Sequence, residues 1–149
     1  MTNHLHLLVE ADGREALTLG MRSLMTRLAT ALNHAFARRG PIFADRFHAR
    51  AVTTPRAARH ALLYVLLNSR KHAAETGRVI ASAWIDPFSS AAGFDGWQGS
   101  RHRAHANADF GTSSPRSWLL RWGWRRHGPL ALDELPGGHR GTQPLRQAA

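Results

Sequence analysis

Between Asp12 and about Arg39, the apolar residues Leu17, Met21, Leu24, Leu28, Ala31, Leu32, Ala35 and Phe36 recur at steps of three and four. That period places them on one stripe of a long helix, with Arg14, Arg22 and Arg27 largely off it. Asp12 is placed to cap its start, with Glu15 three residues on as a capping-box partner. Gly40-Pro41 closes it in the order that ends helices. A second helix opens at Thr54-Pro55, where threonine caps and proline fits the first turn. It should run from about Arg56 to Ala74 or Glu75, with Gly77 as its stop. Two amphipathic helices of this length need a second layer to cover their apolar faces.

Two segments offer that layer. Residues 4–10, His4 to Glu10, read as a short apolar strand, and Arg46 to Val52 alternate well enough for another. The fold expected is α+β: a small antiparallel sheet packed with the long helices. Residues 85–90, Ile85 to Ser90, form a turn-rich corner, with Trp84, Phe88, Phe94 and Trp97 as aromatic anchors. The core should occupy residues 1–92. A polar, basic linker is expected within 93–114. A short helix from Pro115 to about His127, capped by Ser114 and stopped by Gly128-Pro129, should begin the 115–149 extension, whose tail after Pro136 reads as disordered.

Charge narrows the partners. The chain has 149 residues, 20 basic against 10 acidic, for a formal net charge of +10. Lys71 is its lone lysine and Tyr64 its lone tyrosine. Such an excess favours a polyanion, most simply nucleic acid. There is no cysteine, which excludes disulfides and thiolate metal sites. No stretch approaches the ~20 apolar residues of a membrane span. A cytoplasmic, nucleoid-associated protein without a membrane partner is the expectation.

The chemistry is concentrated in four residues. In a strand, His4 and His6 point the same way, about 7 Å apart at Cα. On a helix, Tyr64 and Asn68 share a face one turn apart. Two imidazoles, an amide oxygen and a phenol can thus converge on a metal and a phosphodiester. Each also has a plainer reading. His4 and His6 suit an exposed strand, Tyr64 a core ring with its hydroxyl outward, and Asn68 a helix surface. His48, His60 and His72 could serve as further ligands but are not assigned that role; His60, one turn before Tyr64, could touch DNA or assist proton transfer, and its plainer reading is a solvated helix surface. Arg46, Arg50, Arg70 and Lys71 are candidates to hold DNA phosphate, or simply face water. Trp118 and Trp122 could stack on bases or dock their helix on the core.

Asn3-His4-Leu5-His6-Leu7-Leu8-Val9 resembles the His-hydrophobe-His strand of the IS200/IS605-like transposases. Gly40-Pro41-Ile42-Phe43 with Arg46-Phe47-His48, Tyr64-Val65-Leu66-Leu67-Asn68 and Ile85 to Ser90 are similar to further motifs of that family. The Tyr64 motif is closest to the branch associated with repetitive extragenic palindromes. The resemblance covers residues 1 to about 92. It implies a ferredoxin-like core of the HUH nuclease type, here without its first strand and helix. It implies His4, His6 and Asn68 as ligands of Mg²⁺ or Mn²⁺, and Tyr64 as the nucleophile. The implied reaction is nicking and joining of single-stranded DNA beside a hairpin, through a 5′-phosphotyrosine, by a monomer or homodimer. The alternative is a truncated or domesticated hairpin-binding protein that does not cleave.

Overall fold

The computed structural model describes residues 4–44, 46–99 and 111–137. The chain divides into two compact units, Val9–Ala51 and a second made of Met1–Leu8 with Val52–Ala149.

The Val9–Ala51 unit is built on helix α1, Arg14–Ala35. Gly13, at φ 119°, takes the cap position and offers no side-chain acceptor. The helix thus starts one residue later than an Asp12 cap requires. The helix also stops before Arg39. Ala37 turns into the left-handed region at φ 48°, and the Asn33 amide donates to the Gly40 carbonyl at 2.9 Å, tying the reversed chain back. Of its large apolar residues, Met21 is buried, whereas Leu19, Leu24 and the capping Phe36 are exposed.

The other unit is organised by helix α2, Pro55–Glu75. Its start follows the sequence expectation: Thr54 Oγ1 accepts from Ala57 N–H at 3.2 Å, with Pro55 in the first turn. At the far end, Thr76 Oγ1 bonds back to the His72 carbonyl, and Gly77 reverses the chain at φ 68°. Ala58, Leu63, Leu66 and Leu67 face a core completed by Ala91, Trp97, Trp124 and Leu130. Each buried indole keeps its N–H paired, Trp97 to the Ala91 carbonyl and Trp124 to Leu120, both at 3.0 Å.

Two buried arginines fasten α2 to the C-terminal half of the chain. Arg59 makes a two-pronged ion pair with Glu134, at 2.6 and 2.8 Å, and also donates to the carbonyls of Gly128 and Pro129. The Arg70 guanidinium lies among the carbonyls of Ala81, Ser82 and Trp84, each within 2.9 Å.

The expected antiparallel sheet is not there. Residues 4–10 and, where described, 46–52 carry no strand ladder. The sole β-pairing among the described residues is an isolated parallel bridge between Trp97 and Leu130. Alternating residues make a strand only when a neighbour satisfies their backbone groups. The α+β reading therefore gives way to a largely helical chain, in which α2 is covered by turns and short helices of its own C-terminal half. The corner at 85–90 forms, with Asp86 Oδ1 accepting from Phe88 N–H at 2.9 Å. Of its anchors, Trp97 is buried but Trp84 and Phe88 are exposed.

The single helix expected over 115–127 is two pieces. Helix α3, Trp118–Arg121, is capped by Ser117 rather than Ser114, and a 3-10 turn follows at Gly123–His127. Gly123 lies under the Trp118 ring, where a side chain would collide. Residues 100–110 and 138–149, assigned from sequence to linker and tail, lie outside the described residues.

Candidate active site

Residues 4–8 and α2 belong to one unit, and their polar side chains meet. The His4 and His6 rings lie edge to face at 4.7 Å between centroids. His6 meets the Tyr64 ring at the same distance, again nearly perpendicular. His4 also lies 5.7 Å from His72, one turn beyond Asn68. The front imidazoles and the mid-chain phenol thus share one place, as their spacing suggests, although no strand carries the histidines.

Two buried polar atoms here have no hydrogen-bond partner: His6 Nε2 and Asn68 Oδ1. Buried polar atoms are nearly always paired, so an orphan on the His6 ring and another on Asn68, four residues from Tyr64 in the same helix, call for an explanation. The α2 backbone departs from helical geometry between Tyr64 and Asn68, at Leu67 (φ −120°, ψ 23°). Sharp kinks have local causes, such as an inserted side chain or a break in the hydrogen-bond ladder. Nothing in the residue pattern announces this one.

The electrostatics favour a neutral His6. Burial, reinforced by His4, His72 and Lys71, pushes its pKa below the ordinary 6.5. Lys71 has its ammonium 5.6 Å from the centre of the Tyr64 ring. It also pairs with Glu75 at 2.9 Å, and His72 Nδ1 reaches the same carboxylate at 3.0 Å. These bonds hold the Glu75 carboxyl below, and Lys71 above, their ordinary values. His72, weighed from sequence as a further ligand and not adopted, and Glu75 both belong to this cluster. The signal for them is in the spacing, since Tyr64, Asn68, His72 and Glu75 follow at steps of four, four and three.

The basic candidates separate. Arg70 is buried, 6 % exposed, and its guanidinium serves carbonyls rather than facing solvent. Lys71 stays beside Tyr64. Arg46 and Arg50 are exposed and belong to the Val9–Ala51 unit. Among the described residues no three of His, Asp and Glu group so as to hold a metal ion; a metal here depends on the Asn68 amide as third donor. No helix among them is long and apolar enough to cross a membrane.

Comparison with known protein families, with curated proteins and with solved structures finds no match.

Proposed function

We propose that the chain is a metal-dependent nickase of single-stranded DNA, a transposase-like enzyme with Tyr64 as nucleophile. The observation that carries this reading is the His6 ring packed on Tyr64 with its Nε2 buried and unpartnered, Asn68 Oδ1 being a second unpartnered buried atom four residues from Tyr64 on α2. The donor set suits a divalent ion. A neutral imidazole and an amide oxygen are ready ligands, His4 lies beside them, and open positions remain for phosphate oxygens and water. Two imidazoles suit Mn²⁺ at least as well as Mg²⁺. The motif resemblance to IS200/IS605-like transposases supports the same roles, and the reading does not depend on a sheet.

A phenol has a pKa near about 10 and is a weak nucleophile at neutral pH. A bound divalent ion polarises the phosphate and offsets charge in the transition state. The Tyr64 oxygen gives up its proton and bonds to phosphorus as the bond from phosphorus to the 3′ oxygen breaks. That oxygen takes up a proton to leave a free 3′-OH, and the 5′ phosphate stays on Tyr64. His4, His6 and Asn68 would hold the ion, which would polarise the phosphate beside Tyr64. Lys71 places a positive charge beside the ring. The phosphotyrosine keeps the bond energy needed to rejoin the strand.

The test is incubation with Mn²⁺ and a labelled single-stranded hairpin DNA. A protein–DNA adduct that survives denaturant, and is lost in Tyr64→Phe and His6→Ala, is the expected result. A second reading, a hairpin binder without cleavage, is favoured by the net charge of +10. Retarded mobility without any adduct would select it. Cleavage persisting in Tyr64→Phe would reject both in favour of a hydrolase using the histidines alone.

A further inference from the structure

The chain's three C-terminal tryptophans have divided their work. Trp124 is 2 % exposed and packs against Phe94, anchoring the segment to the α2 core. Trp118 and Trp122 are 51 % and 59 % exposed. Large indoles left this open on a protein surface are unusual and mark contact surfaces. Their neighbours are cationic. The Arg126 guanidinium lies over the Trp118 ring at 4.9 Å. Arg121, the last residue of α3, is exposed. From Gly111 to Leu132 the sequence holds four arginines, one histidine and no carboxylate. Of the four, Arg125 is committed to Asp95 at 3.1 Å.

We propose that the exposed Trp122, with Arg121 and Arg126, forms a stacking surface for single-stranded nucleic acid that uses no residue of the Tyr64 cluster. Trp118 serves as the ring that Arg126 and Gly123 pack against. An exposed indole offers its face to any unpaired base, and arginine supplies phosphate contact and can itself stack. Charge complementarity decides the occupant: an uninterrupted basic segment around an open aromatic face matches an anionic strand with unpaired bases. A duplex keeps its bases stacked internally and cannot use the indole. The surface goes beyond the nickase reading and needs neither metal nor Tyr64.

The experiment measures binding of the full chain to a single-stranded oligothymidylate, by fluorescence anisotropy, across a salt series. Trp122→Ala should weaken binding by roughly 5- to 100-fold, the usual loss of one base–aromatic stack, with Trp122→Phe retaining most of it. Arg121→Gln should lower the slope of log affinity against log salt by about 0.7, one phosphate contact on a single strand. Far-UV circular dichroism of Trp122→Ala should match the parent. With divalent ions chelated, so that no adduct can form, the same loss in Trp122→Ala should persist, so failure of the nickase leaves this surface standing. Equal affinity of Trp122→Ala and the parent would overturn the proposal. So would a loss confined to anionic phosphatidylglycerol vesicles, which would make the indoles a membrane contact.

Discussion

Helices α1 and α2 have nearly the same length, 22 and 21 residues, and similar apolar periodicity, yet they end in opposite circumstances. In α2 seven residues are buried, two of them arginines, and its apolar face meets three aromatic rings and Leu130. In α1 Met21 is buried, and Leu19, Leu24 and the capping Phe36 are exposed. Periodicity therefore reports which face of a helix seeks cover, but not whether this chain supplies the cover. For α2 it does so from far along the sequence, by bringing back Trp124, Leu130 and Glu134.

The difference can be pressed by substitution. The largest effect should come from Trp124→Ala, which empties the centre of the α2 core. A loss of about 3–5 kcal/mol is expected, read as a lower urea midpoint. Arg59→Ala should cost about 3 kcal/mol, because it removes a mostly buried ion pair and two carbonyl contacts together. Replacement by methionine, which keeps the stem and loses the charge, should cost as much as alanine if the charge matters more than the stem, and less if packing of the stem dominates. Thr54→Ala should cost about 1 kcal/mol by stripping the α2 cap. On α1, Leu19→Gln should change stability by no more than about 0.5 kcal/mol, since the side chain is exposed. A loss above that in Leu19→Gln, growing with protein concentration, would show that the apolar side chains of α1 are covered by a second copy.

His6 adds a pH dependence belonging to the α2 unit. Its folded pKa lies below the ordinary 6.5, so the unfolded chain takes up a proton first as pH falls. The stabilisation is complete above about pH 6.5 and is lost as pH drops through the lower folded value. His6→Phe should flatten this part of the curve of thermal midpoint between pH 7.5 and pH 5. An unchanged slope would mean that His6 is not desolvated.

Much of the helical framework is legible in the residues. Thr54-Pro55 and Gly77 mark the limits of α2 because capping and left-handed closure are local events, settled within four residues. The cap of α1 falls one residue from where the pattern puts it, since Asp12 and Gly13 both suit that position. The meeting of the His4–His6 pair with Tyr64 follows the spacing of those residues. The sheet is not, because alternation records only that residues suit a strand; pairing needs a second segment. Gly96 gives no sign of its role. A methyl group there would collide with the rings of Phe94 and Trp124.

Local chemistry in the sequence was enough to determine the two long helices, the basic charge and the spacing of the imidazoles, phenol and amide. Only the tertiary structure decided that Trp97 and Trp124 are core while Trp84, Trp118 and Trp122 are exposed, that Arg70 faces inward, and that α2 bends at Leu67. Those outcomes depend on contacts between residues far apart in the chain. Their free energy is set by what each side chain finds opposite it, and no short window of sequence contains that information.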